Sequence, residues 1–74
     1  HGLVGKGFSP REAQVLAMLA SGTSTREAAQ LLRIAERTVA THVGAIIRKL
    51  GARNRVEAFA IAYRSKLIEL PLEP

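Results

Sequence analysis

The sequence predicts an all-α fold, a four-helix bundle in a single small domain. Three observations carry this. Apolar residues recur at three- and four-residue spacing, a hydroxyl or amide followed three residues later by glutamate opens three segments, and no stretch alternates apolar and polar residues over a strand's length. With 74 residues, 47% of them hydrophobic and 23% charged, the chain lies in the globular range but can bury only a small core. It has no cysteine, so neither a disulfide nor a thiolate-bound metal reinforces that core, and a reducing compartment is compatible with the composition.

Each element has its own start signal. Ser9-Pro10-Arg11-Glu12 places a hydroxyl at the cap, proline at the first helical position where its missing N–H is no loss, and a carboxylate that closes a capping box. Val15, Leu16, Leu19 and Ala20 follow at helical spacing and Ser21-Gly22 stops the run, which predicts a helix over 10–21. Ser24-Thr25-Arg26-Glu27 repeats the box and predicts a two-turn helix over 25–32, with Ala28, Ala29, Leu31 and Leu32 as its apolar side. Arg33-Ile34-Ala35 is long enough only for a tight turn. Glu36 then opens a helix over 36–50, closed by Gly51.

Ala35 at that helix's cap has no side-chain acceptor, which costs about 1 kcal/mol relative to serine, so the helix relies on packing and on Glu36 at its positive end. Val39, Val43, Ile46, Ile47 and Leu50 form one stripe, and Arg37, Thr41, Gly44, Ala45 and Arg48 fall on the opposite face. Asn54-Arg55-Val56-Glu57 opens a last helix over 55–66, and residues 70–74 read as a tail. On this last helix Val56, Phe59, Ala60, Tyr63 and Leu67 cluster on one side, and Ala58, Ile61 and Ala62 on the other. One side fills the core and the other is left for a two-fold partner or is wrapped by the domain itself. Periodicity does not choose between the sides. Val56, Phe59, Ala60 and Tyr63 are the candidate dimer interface.

Charge narrows the partner. Eleven lysines and arginines against six glutamates give +5, and residues 33–66 alone carry +6, through Arg33, Arg37, Arg48, Lys49, Arg53, Arg55, Arg64 and Lys66 against Glu36 and Glu57. That segment suits a polyanion, nucleic acid or an anionic membrane, although a basic run is also an ordinary solvated face. No run reaches the roughly 18–20 apolar residues of a membrane span, and no signal stretch opens the chain. A membrane-surface helix would want a polybasic cluster and interfacial tryptophan, both missing here. Catalysis is not expected: there is no Cys, no Asp, no glycine-rich phosphate loop and no carboxylate pair in a plausible cleft, and the two histidines are His1 and His42. Neither a metal nor a cofactor is expected, since His42 has no second ligand at helical spacing. The start at His1 instead of methionine suggests a fragment of a longer protein.

A short helix, a three-residue turn and a longer helix with a basic outer face make a helix-turn-helix at the centre of the bundle. The order of blocks carries a resemblance: Phe8-Ser9-Pro10-Arg11-Glu12, Val15-Leu16, Gly22, Ser24-Thr25-Arg26-Glu27-Ala28-Ala29, Glu36-Arg37-Thr38-Val39, His42-Val43, Arg48-Lys49-Leu50-Gly51 and Arg53-Asn54-Arg55-Val56-Glu57-Ala58. In these the chain resembles the LuxR/FixJ/GerE-type DNA-binding domain over about residues 8–68. The resemblance implies the C-terminal output domain of a bacterial transcription regulator, working in the cytoplasm at the nucleoid. Its implied partners are double-stranded DNA carrying an inverted repeat, a second copy through the last helix, an upstream sensor or receiver domain, and RNA polymerase.

Carried over by position, the helix over 36–50 is the recognition helix, with Arg37, Thr41, Gly44 and Arg48 turned to the bases. Thr38, His42 and Lys49 border that face as phosphate contacts, with a local capping threonine and a hydrogen-bonded boundary histidine as the plain alternatives for the first two. Ser24, Thr25 and Arg26, at the positive end of the preceding helix, are further phosphate candidates. Arg53 and Arg55 are either phosphate contacts or solvated charge. The chain departs from the family's pattern at four places. Ala40 and Gly44 replace the long polar residues common there, Arg33 stands where a turn glycine is usual, and Ala35 where serine or threonine caps. The competing function is a protein-interaction module on the same scaffold, in which the small-residue face of Ala40, Gly44 and Ala45 docks a helix instead of DNA.

Overall fold

The structure is a computed structural model that describes residues 7–65. They form α1 (Pro10–Ala20), α2 (Thr25–Leu32), α3 (Glu36–Leu50) and α4 (Arg55–Arg64), and no strand occurs among the described residues. The fold is the all-helical bundle expected. The extension of α4 to Lys66, the residue Leu67 and the tail over 70–74 lie outside the described residues.

Local chemistry sets the helix starts. In α1 the Glu12 N–H donates to Ser9 Oγ at 3.1 Å and the Ser9 N–H to Glu12 Oε1 at 2.9 Å; in α2 the Ser24–Glu27 box closes the same way, at 3.0 Å in both directions. Two orphan donors are satisfied reciprocally at each start. The third acidic box differs. Asn54 Oδ1 accepts the Glu57 N–H at 2.9 Å, but the Glu57 carboxylate reaches past the cap to the Arg53 N–H at 2.6 Å and to its guanidinium at 3.1 Å. At α3 Ala35 makes no side-chain cap bond.

The ends of the first three helices share one device. The Thr23 N–H donates to Met18 O, the Ile34 N–H to Ala29 O and the Ala52 N–H to Ile47 O, each at 3.0 Å, after a left-handed residue: Gly22 (φ 101°), Arg33 (φ 58°) and Gly51 (φ 69°). This six-to-one closure satisfies the last carbonyls of α1, α2 and α3. It also ends α1 at Ala20, one residue before the expected 21, because Ser21 has entered the turn.

α3 packs against all three other helices. The core joins Phe8, Val15, Leu16 and Leu19 to Ala28 and Ala29 of α2, Val39 and Ile46 of α3 and Ala62 of α4. The alanines let α2 and α4 approach closely. Leu31, expected on the apolar side of α2, is instead 67% exposed, since the narrow buried stripe of this two-turn helix is already filled by Ala28, Ala29 and Leu32. On α4 the Ala58–Ala62 side faces the core. The candidate interface set is divided: Phe59 packs against the core and the Tyr63 hydroxyl donates to Ala20 O at 3.3 Å, while Val56 is 76% exposed and Ala60 half-buried.

Candidate nucleic-acid interface

The outer face of α3 begins with residues that packing cannot use. Val39 and Ile46 turn inward, which leaves Arg37, Ala40, Thr41 and Arg48 exposed and Gly44 half-buried on the far side. Neither Arg37 nor Arg48 pairs with a carboxylate among the described residues. The Thr41 hydroxyl donates back to Arg37 O at 3.1 Å, so its hydrogen is committed within the helix, and its oxygen as an acceptor and its methyl are left for a partner. The terminal nitrogen Nη1 of Arg48 lies 3.7 Å from where a Cβ on Gly44 would stand. Thr38 is exposed and His42 half-buried at the border of this face. Four predicted base-facing residues therefore share one surface, and two of them carry free guanidinium groups.

A second group gathers at the start of α2. The Ser24 N–H donates to Glu27 and its Oγ accepts the Glu27 N–H, so the N–H is committed while the hydroxyl hydrogen is still able to donate. Thr25 Oγ1 accepts from an Arg55 Nη at 3.3 Å, which draws the start of α4 to the start of α2, and Arg26 is exposed beside them. Arg53 stands apart, 86% exposed yet held by Glu57. That hydrogen bond, with the Arg53 N–H second, holds the Glu57 carboxyl below the usual carboxylate range.

Lys49 has partners that its sequence position did not suggest. Its Nζ donates to Glu12 Oε1 at 2.6 Å and to Gly7 O at 2.9 Å, and it lies 5.7 Å from the centroid of the Phe8 ring. The side chain braces the end of α3 against the entry to α1. Glu12 is buried, with 7% of its surface exposed, and the bond from Lys49, reinforced by the Ser9 N–H, holds its carboxyl below the usual range against the opposing effect of burial. Sequence reasoning missed this pair because 37 residues separate its members. Both Lys49 and the Ser9 N–H bond the same oxygen, Glu12 Oε1, so nothing in the capping box pointed to the pair.

Among the described residues no three His, Asp or Glu side chains gather as a metal site, and no helix is long and apolar enough to cross a membrane. What the fold presents is a helix with a basic outer face packed on three others, preceded by a two-turn helix and a tight turn: a helix-turn-helix domain. Residues 6–62 match the family described as bacterial regulatory proteins, luxR family, and the chain belongs to that family. Relatives include the transcriptional activator protein BjaR1 of Bradyrhizobium diazoefficiens, 42% identical over 82% of this chain and 25% of that protein. The transcriptional activator protein CarR of Pectobacterium carotovorum is 38% identical over 90% of this chain and 28% of that protein. The response regulator protein VraR of Staphylococcus aureus is 37% identical over 84% of this chain and 30% of that protein. The chain thus spans between a quarter and a third of the length of these relatives.

Proposed function

We propose that the domain binds double-stranded DNA sequence-specifically, with α3 in the major groove, and thereby regulates transcription without chemistry of its own. The observation that carries this reading is the outer face of α3, where Arg37 and Arg48 have no carboxylate partner among the described residues and the intervening Ala40, Thr41 and Gly44 are small enough for close approach to base edges. Phosphate contacts supply most of the affinity and come from Thr38 and His42 at the border, from Thr25, Arg26 and the Arg55 beside them, and from Arg53 once it exchanges Glu57 for phosphate. Ser24 contributes by fixing the start of α2, and Lys49 by fixing the end of α3.

Two copies pair through the outward edge of α4, with Val56 and Ala60 at its centre, and place two α3 helices on an inverted repeat. An upstream sensor or receiver domain governs that pairing in the bacterial cytoplasm, and RNA polymerase is the downstream partner. Selection from a random duplex library, followed by titration of the enriched pool at two salt concentrations, tests the reading. Enrichment of an inverted repeat with affinity falling steeply as salt rises is the expected result. Absence of binding even at low salt would overturn it in favour of helix docking on the Ala40–Gly44 face.

A further inference from the structure

Two features of α3 meet at one point. Gly44 has no side chain, and Arg48, one turn later, folds back over it, with Nη1 at 3.7 Å from the place of the missing Cβ. Helical side chains lean towards the N-terminus over the preceding turn. An arginine at i+4 therefore fills the space vacated at i, and its guanidinium stands about 6 Å nearer the start of the helix than its own Cα. Ala40, one turn earlier, is exposed and too short to obstruct it.

We propose that Gly44 and Arg48 act as one reading unit: Arg48 specifies a guanine from the place that a side chain on residue 44 would hold, and Gly44 is the positioning residue that lets it lie there. The proposal rests on the DNA-binding reading above and names the specificity determinant of that surface. Guanine suits the geometry because a guanidinium bonds O6 and N7 of that base together in the major groove. Between Arg37 and Arg48, Ala40 and Thr41 supply methyl groups, which suit the C5 methyl of thymine. The half-site therefore carries two guanines, one for Arg48 and one for Arg37, with thymine between them.

The test is library selection and titration run in parallel on the 74-residue chain and on R48A, R48K, G44A and G44L, with a thermal melt of each variant to separate lost recognition from lost fold. The unsubstituted chain should enrich both guanines. R48A and R48K should lose one of them and bind the enriched site roughly ten-fold more weakly, with R48K retaining the salt dependence. G44A should keep the preference, since a Cβ there meets Nη1 only at ordinary contact distance, whereas G44L should lose or shift it with Arg48 intact. If R48A weakens every duplex equally and lowers the salt slope by about one, Arg48 is a phosphate contact and the proposal falls. If G44L leaves the preference unchanged, Gly44 positions nothing and the unit falls. Failure of the unsubstituted chain to enrich any duplex would be a different result, one that removes the DNA-binding reading itself.

Discussion

Arg33 carries a Cβ in the left-handed conformation that Gly22 and Gly51 adopt at the corresponding turns. An L side chain in that region costs about 1–2 kcal/mol, which glycine avoids. Arg33→Gly should therefore stabilise the domain by about 1 kcal/mol, a rise of roughly 4–8 °C in the melting midpoint at this size. An unchanged or lowered midpoint would mean that the exposed arginine makes compensating contacts. Glu12 and Lys49 behave differently, because their strength depends on pH. The folded-state pKa of Glu12 is depressed, so the carboxylate binds its proton more weakly folded than unfolded. Its stabilising effect is full above the unfolded value near 4.3 and is lost as pH falls through the lower folded value. Lys49→Met should cost about 1–2 kcal/mol in urea unfolding at neutral pH, and most of the gap from the parent should close across a descending pH series. A gap constant into acid would assign the loss to packing instead of to the ion pair.

At the scale of the element, α3 is the helix with the weakest local encoding and the widest tertiary support. Ala35 makes no cap bond and Gly44 interrupts the middle, yet the helix runs unbroken from Glu36 to Leu50 because it packs on three neighbours. Ala35→Ser should add about 1 kcal/mol by accepting an orphan N–H, and Gly44→Ala about as much through helix propensity. Denaturant titration checks both, and additive gains are expected of sites so far apart. The starts of α1 and α2 were legible in the sequence because each cap is made by residues three positions apart. The end of α1 and the exposure of Leu31 were not. A turn of one residue and the choice between two adjacent apolar positions depend on what packs opposite.

At the scale of the molecule, the base-facing and phosphate-facing candidates sit on a scaffold whose inner volume is filled largely by alanine on α2 and α4 and by branched residues on α1 and α3. The edge of α4 that remains outside is short, and Val56 is its most exposed apolar residue. Val56→Glu should leave the melting midpoint nearly unchanged, as for other surface substitutions, while reducing self-association in sedimentation and the preference for paired over single half-sites. Equal preference before and after the substitution would move the interface elsewhere on α4.

The sequence by itself determined the four helices, their order, the helix-turn-helix and the basic face of α3. These follow from capping, periodicity and composition, which act over a few residues and can be read along the chain. Only the tertiary structure decided which side of α4 is core, that Phe59 and Tyr63 turn towards their own domain, that Lys49 joins Glu12 across 37 residues, and that Arg48 lies over Gly44. Each of these is a choice between side-chain positions of nearly equal local energy. What settles such a choice is the neighbour that folding brings to one of them.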